Sequence, residues 1–539
     1  MARFGWAVLL VAAMWAATGP AVAAEGDLEI HHADFHARLG MKIQVVPGDA
    51  EAQASALVAT LDGPGGKKVV FEKKTPLAAE EAVTLNFREL AKGKYTLTVS
   101  LLGADGKTLK SATREFEKPY DGIPRVGIDE NNSLRIGGKL FFPFATYCIG
   151  AKDAEIAEWD AQMNTMAGYT FSDAEATTEG WTQALDRAQK HGKMVIGPFY
   201  GRYWPNGAGR RYYEKDGEKL RDREVLIDAL AGYVTATRDH PALLAWCWLD
   251  EPELSNDENC VTPAEVRRWT ETCHRLDPHH PVGTGNGGDG FRRPPENWMH
   301  QHRMKYTYEH NGIAGPHKVL LADWIYQDIY PVFGAQLDLM RRTSDRPGVK
   351  EGWGLNSIEN MCVSMDVMRK YNRNLAPFMS AVRTAAFRGE GPHATPPAPQ
   401  EVRAVVWANI LHGAKAILWF HYFGPTPPEV KAEMARLLEQ VTRLSPAVLG
   451  PDYAGRIEKT ERAEGGRVDL LARQIEGDDT AVYVFALNLC EAADKVTFTA
   501  DFEPKKIEVV DENRTLEPDG RTFTDAFDPL AVHIYRLQR

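Results

Sequence analysis

From Leu28 to Lys118 apolar and polar residues alternate in short bursts, as in Lys42-Ile43-Gln44-Val45-Val46 and in the run from Lys94 to Leu101. Turn-forming stretches separate them, among them Gly63-Pro64-Gly65-Gly66 and Gly103-Ala104-Asp105-Gly106. A period of two places one side of each strand in a core, and short strands with such punctuation predict a β-sandwich. The same rhythm returns after Gly466, in Thr480 to Asn488, Lys506 to Val510 and Ala531 to Leu537. A second small β-domain is expected there.

Between these sections the pattern changes to apolar strands alternating with longer amphipathic segments, the mark of parallel βα units. Eight strands are expected: Leu140 to Tyr147, Met163 to Tyr169, Met194 to Phe199, Leu243 to Leu249, Val282 to Asn286, Ala322 to Pro331, Leu375 to Val382 and Ala414 to Tyr422. Helical segments fall between them at Thr178 to Gln189, Arg223 to Thr237, Pro263 to Arg275, Ile358 to Tyr371 and Pro399 to His412. Eight such units over about 300 residues is the count of a (β/α)8 TIM barrel. A doubly wound open sheet is the competing arrangement, but no glycine-rich phosphate loop follows any strand. The chain thus divides into residues 1–24, 25–120, 121–450 and 451–539: a leader, an N-terminal β-sandwich, the barrel and a C-terminal β-sandwich.

The leader rests on Arg3, the apolar run Trp6 to Ala17 and the small residues Ala21-Val22-Ala23, which together read as a secretory signal. The run is shorter than the ~20 apolar residues of a membrane span, and no later segment reaches that length. An exported, periplasmic or extracellular bacterial protein is expected. The 539 residues carry a net charge of −11, and no basic stripe suggests a nucleic acid partner. The six cysteines (Cys148, Cys247, Cys260, Cys273, Cys362, Cys490) are scattered without a CxxC pair. Neither a disulfide framework nor a zinc cluster is expected from that spacing. A Cys260–Cys273 bridge stays open, with buried thiols favoured, and Cys247 between two tryptophans reads as core. His300, His302, His310 and His317 lack metal-ligand spacing; no metal or other cofactor is expected.

Candidate chemistry lies where the strands end, because the C-terminal ends of barrel strands form the active-site face. Strand four, Leu243-Leu244-Ala245-Trp246-Cys247-Trp248-Leu249, runs straight into Asp250-Glu251-Pro252. Successive side chains on a strand point to opposite faces, so only a strand end or turn lets both carboxylates reach one pocket. Pro252 favours such an end. The plain alternative is a solvated strand end with Asp250 capping the next helix. Other ends supply Tyr147 and Cys148, Tyr169 and Asp173, Phe199, Tyr200, Arg202 and Tyr203, Asn286, Asp328 and Tyr330, Ser380 and Arg383, and Trp419, His421 and Tyr422. Aromatic faces stack on sugar rings and carboxylates accept from hydroxyls, so the composition is that of a carbohydrate pocket, with Tyr330, Asp328, Trp419, Tyr200, Asn286 and His421 as candidate substrate contacts. Trp419 could equally be core, and His421 a structural hydrogen-bond partner. The tract Arg388 to Pro399 reads as a linker-like loop or a lid.

The barrel section resembles the (β/α)8 glycoside hydrolases flanked by β-sandwich modules. The resemblance rests on Trp246 to Pro252 at strand four, Asp328-Ile329-Tyr330-Pro331 at strand six and Gly413 to Phe420 at strand eight. In the large clan of retaining barrel glycosidases strand four ends in Asn-Glu, the Glu being acid/base, and strand seven ends in a nucleophilic Glu. Glu251 matches the acid/base position, while Asp250 replaces the Asn. Strand seven, Pro377 to Thr384, carries no carboxylate. The Asp-Glu pair is similar to that of substrate-assisted hexosaminidases, in which the 2-acetamido oxygen of the sugar attacks the anomeric carbon. That likeness implies that Asp250 orients the acetamido N–H, that Glu251 protonates the leaving oxygen, and that Tyr330 donates to the acetamido carbonyl above an apolar floor at Trp419. Two alternatives stand beside it. A loop carboxylate, Glu351 in Val349 to Gly354, could be the second catalytic group, with Asp173, Asp323 and Asp328 also within conceivable reach. A barrel that binds carbohydrate without catalysis would also explain the empty strand seven.

Overall fold

The structure, a computed structural model, describes residues 28–48, 53–149, 152–170, 177–200, 213–215, 218–220, 223–247, 263–287, 317–328, 395–421, 424–461, 467–489 and 492–539, together with 372–386 and positions 358, 361, 362, 365, 366, 368 and 369. Eight parallel strands close on themselves: Phe144–Ile149, Thr165–Thr170, Met194–Tyr200, Leu243–Cys247, Val282–Gly287, Trp324–Asp328, Phe378–Arg383 and Ala414–Phe420. Strand eight returns to strand one with Ile417 opposite Phe144 and Trp419 opposite Thr146, which removes both sheet edges. The described helices Asp153–Glu158, Thr178–Lys190, Arg223–Thr237, Pro263–Leu276 and Pro399–Leu411 lie on crossovers between barrel strands, and Pro428–Val448 follows strand eight. Their starts are written locally: the Thr177 hydroxyl accepts from the Gly180 N–H at 3.0 Å, and the Glu401 carboxylate reaches back to the Ala398 N–H at 2.7 Å.

Parallel strands covered on both sides should be apolar throughout, and strand four is buried at all five of its positions. One set of side chains, including Ala145, Tyr147, Ala167, Ile196, Ala245, Cys247, Trp324, Tyr326, Met379, Ala381 and Leu418, fills the barrel. The alternate set, including Phe144, Met166, Val195, Trp246, Val282, Val382, Ile417 and Trp419, packs under the helices. Each fully buried aliphatic or aromatic side chain of this kind contributes about 1.5 to 3 kcal/mol. Gly283 on strand five is needed for this filling: a Cβ there would come within 1.7 Å of the Trp324 indole nitrogen.

Prolines trim two of the expected strands. Strand one starts at Phe144, after Pro143, and Lys139–Leu140 pairs instead with Leu134–Ile136 in a three-stranded sheet with Val126–Ile128. Strand seven starts at Phe378, after Pro377. Without an N–H to donate, proline sits at a ladder's start rather than inside it. The small sheet packs Val126, Ile128 and Leu134 against barrel residues, and the Val126 N–H donates to the His279 carbonyl just before strand five. It therefore plugs the end where the strands begin, leaving the other end as the mouth.

Two sheets form the N-terminal sandwich. One is Lys68–Lys74, Ala56–Asp62, Gly93–Leu102 and Thr108–Lys118; the other is Glu29–His32, Gly40–Val46 and Glu81–Asn86, completed by His317–Val319, which pairs parallel to Glu29–His32. That last strand comes from the segment between barrel strands five and six and was not expected from the sequence, since three residues show no period. The core of this sandwich runs on into Leu320, Ile325 and Phe378 of the barrel. At the C-terminus, a three-stranded and a five-stranded antiparallel sheet enclose Val484, Phe498, Phe523 and Tyr535. The outer side of the larger sheet lies on the helices Pro399–Leu411 and Pro428–Val448, with Phe485 stacked on Trp407 at 5.5 Å. No described helix is long and apolar enough to cross a membrane.

A buried charge network ties the N-terminal sandwich to the barrel floor. Asp323, fully buried, accepts from His274 Nε2 at 2.9 Å and the Val282 N–H at 2.8 Å, and faces Arg38 at 3.8 Å. Asp34 pairs with Arg267 at 2.5 Å and faces His274 Nδ1 at 3.5 Å. Burial alone would lower the His274 pKa, but the charges of Asp323 and Asp34 outweigh it and raise it from 6.5 to about 9. His36, stacked on His274 at 3.7 Å, is pushed down to about 3, first by burial and then by the neighbouring imidazolium. Asp323 thus sits immediately before strand six, at the floor, and cannot be the pocket carboxylate the sequence allowed.

Two outcomes follow from this network. Asp323→Ala leaves His274 and Arg38 buried without their partner and should cost about 3 to 5 kcal/mol in urea unfolding. Because the His274 pKa is raised on folding, its contribution is complete below about pH 6.5 and fades as pH climbs towards 9. The unfolding midpoint should fall across that window, and His274→Gln should flatten the slope; an unchanged slope in the variant would refute the assignment.

Candidate functional site

The parallel closure brings the ends of all eight strands to one mouth. Strand three ends at Tyr200, opposite Thr170 of strand two. Strand five carries Asn286 opposite Gln327 of strand six, and Asp328 is the last residue of strand six, opposite Gly287. Tyr200, Asn286 and Asp328 are thus brought to the same rim by the backbone. Strand four is described to Cys247, three residues short of Asp250. Asp250, Glu251, Tyr330, Glu351, Asp173 and the tract from Arg388 to Ala394 lie outside the described residues.

The described base of the mouth is aromatic. Tyr147 on strand one and Tyr326 on strand six meet across the barrel, hydroxyl to hydroxyl at 2.8 Å, both buried. Phe420 at the end of strand eight stands edge-on to Tyr147, with ring centres 6.0 Å apart at 87°. Trp324 lies one inward position before Tyr326 and belongs to the same interior cluster. Tyr326 was not singled out from the sequence, though its parity was visible: Trp324 and Tyr326 alternate with Ile325 and Gln327.

Strand seven ends in Arg383, where the resemblance calls for a carboxylate. Its guanidinium is 4% exposed and donates to the carbonyls of Ala385 at 3.3 Å and Thr395 at 2.9 Å. Burial lowers its pKa somewhat, against the pull of Glu401. These bonds bind the strand end to the loop after it and leave a fixed cation at the rim. Ser380, also a strand-seven candidate, faces the helix side instead, between inward Met379 and Ala381, and accepts from Gln327 Nε2 at 3.0 Å.

Strand eight corrects the reading of Trp419. Its side chain is fully buried on the helix side of the barrel, packs on Phe144 at 5.5 Å and donates its indole N–H to the Gln162 carbonyl at 2.8 Å. Parity decides this: Leu418 and Phe420 point inward, so Trp419 points out. Apolar composition at a strand end could not reveal the side. His421 follows the strand, half-buried, with Nε2 3.2 Å from the Tyr147 carbonyl and its ring 4.4 Å from Trp159. Lys431 lies over the same indole at 4.1 Å and pairs with Glu158 at 2.7 Å. Burial lowers the His421 pKa, partly opposed by the bond to Tyr147, so the imidazole is neutral at pH 7 and braces strand eight against strand one.

No protein-family profile and no curated protein matches the chain by sequence. Among solved structures, a family 39 glycoside hydrolase from the gut symbiont Bacteroides cellulosilyticus WH2 aligns over 95% of this chain and 100% of its own, with 12% identity and a TM-score of 0.43. A cyclomaltodextrinase aligns over 95% and 99%, with 9% identity and a TM-score of 0.47. An alpha-amylase from Geobacillus thermoleovorans, complexed with acarbose, aligns over 74% and 98%, with 10% identity and a TM-score of 0.44. The closed barrel of this chain stands on its own hydrogen-bonded ladder.

The position of Trp419 has a direct test. Trp419→Phe removes the bond to Gln162 and part of the packing, and should cost about 1 to 3 kcal/mol in thermal or urea unfolding. Affinity for saccharide ligands should stay within twofold; a tenfold loss with unchanged stability would return the indole to the pocket.

Proposed function

We propose that the chain is an exported glycoside hydrolase whose site is the barrel mouth, with Glu251 as general acid/base and Asp250 assisting. The observation that carries the reading is the place of strand four. Its apolar run, buried at every described position, is followed within four residues of sequence by an adjacent Asp-Glu pair, and the C-terminal ends of barrel strands are where such enzymes assemble their chemistry. The aromatic base formed by Tyr147, Tyr326 and Phe420 supports a carbohydrate ligand, since sugar rings offer apolar faces ringed by hydroxyls. Two carboxyl groups in distinct environments are the usual equipment for cleaving a glycosidic bond.

Strand seven shapes the mechanism. Its last residue is Arg383, and no carboxylate occurs from Pro377 to Arg388. A nucleophile supplied by the substrate fits that arrangement: the acetamido oxygen of a 2-acetamido sugar attacks the anomeric carbon as Glu251 protonates the departing oxygen. Asp250 would hold the acetamido N–H and balance the positive charge of the oxazolinium, after which Glu251 takes a proton from the incoming water. Tyr200, Asp328 and Tyr330 are the proposed sugar-binding groups around it, whereas Asn286 shares its register with Gln327 and Ser380 on the helix side of the ladder.

Glu251→Gln should lower kcat/KM on aryl 2-acetamido glycosides by about 10² to 10⁴, with binding retained. A thiazoline mimic of the oxazoline should inhibit the wild type tightly and Asp250→Asn weakly. Labelling of a carboxylate by 2-fluoro sugars, without thiazoline inhibition, would move the nucleophile to the enzyme and make Glu351 the first residue to examine. Sugar binding with no turnover on any aryl glycoside would sink the hydrolase reading in favour of a non-catalytic carbohydrate-binding barrel.

A further inference from the structure

At the opposite end of the barrel from the mouth, three potential metal ligands from three elements converge. Cys362 stands at a described helical position, His412 caps the helix Pro399–Leu411 just before strand eight, and Asp469 is on Val468–Ile475 of the C-terminal sandwich. One ligand atom from each lies within 4.8 Å of the others. The Cys362 side chain is buried and reduced, His412 is buried, and Asp469 is mostly buried. His412 is oriented as metal-bound histidines are: Nδ1 meets Asp366 at 2.8 Å, which directs Nε2 towards Asp469, also at 2.8 Å. Cys362 and Asp366 are one helical turn apart, so ligand and orienting carboxylate come from the same face.

We propose that Cys362, His412 and Asp469 form a zinc site that staples the barrel floor to the C-terminal sandwich, with water as the fourth ligand. Tetrahedral zinc with bonds of about 2.0 to 2.3 Å separates its ligand atoms by roughly 3.3 to 3.8 Å. The cluster reaches that spacing when the Nε2 to Asp469 contact opens slightly and the thiolate draws in. Zinc takes cysteine as thiolate and histidine as neutral imidazole, so protons leave as the metal enters, and Arg467 stands 3.3 Å from Asp469 beside the cluster. Joining three elements distant in sequence, the metal would stabilise the docked sandwich rather than take part in chemistry at the mouth.

The test uses the full chain, stripped with a chelator and titrated with Zn²⁺ or Co²⁺. Wild type should hold about one equivalent of zinc, show a thiolate-to-cobalt charge-transfer band in the near ultraviolet, and gain thermal midpoint on zinc addition. Cys362→Ser should lose the band and the gain together. Asp366→Asn, at a half-exposed side chain where folding is not at stake, should weaken zinc binding about 10- to 100-fold while keeping the band at saturating cobalt. Absence of the band in wild type, or a zinc-induced midpoint shift equal in wild type and both variants, would overturn the site and leave His412 as a hydrogen-bonded tie between two carboxylates. Neither readout depends on turnover, so failure here is distinct from failure of the hydrolase reading.

Discussion

Everything in this molecule hangs on the hydrogen bonds by which strand eight returns to strand one. Ile417 opposite Phe144 and Trp419 opposite Thr146 close the ladder, and closure defines an inside, an outside, a floor and a mouth. An open sheet of the same strands would have two solvent-facing edges and no common rim. Once closed, parallelism alone sends Tyr200, Asn286, Asp328, Arg383 and Phe420 to one end and Asp323, His412 and the plug sheet to the other. Residues far apart in sequence become neighbours with no specific attraction between them.

The two ends use polar groups differently. At the floor, charges are gathered in paired sets: Asp323 with His274 and Arg38, and His412 with Asp366 and Asp469. Each set joins the barrel to a flanking sandwich, so domain docking and proton occupancy are linked there. Towards the mouth the described polar groups are fewer and serve geometry. The Tyr147–Tyr326 bond and the Arg383 bonds to Ala385 and Thr395 fix the rim where the strands end. Preorganisation of this kind spares any ligand site the cost of ordering its own walls on binding.

The long periodic elements were legible. The expected helices at 178–189, 223–237, 263–275 and 399–412 coincide with the observed ones to within one or two residues, because helix-forming runs and, at Thr177 and Glu401, the caps that start them are local in the chain. The strand centres were legible for the same reason, and misplacements occur at Pro143 and Pro377, where a lost N–H ends the ladder. His317–Val319 was invisible, since its partner Glu29–His32 is nearly 290 positions away and nothing local marks it.

By itself the sequence determined the eight-strand count, the flanking β-domains and the place of Asp250-Glu251 after strand four, all of which follow from hydrophobic period and turn chemistry acting over a few residues. The tertiary structure alone decided which side of a strand each group serves: Trp419 belongs under the helices, Ser380 with it, and Asp323 to the floor. The reason is that composition reports how apolar a position is, while the face it occupies depends on register within a closed ladder. The same holds for Cys362, His412 and Asp469, which carry no spacing signal because helix packing and sandwich docking, rather than chain proximity, bring them together.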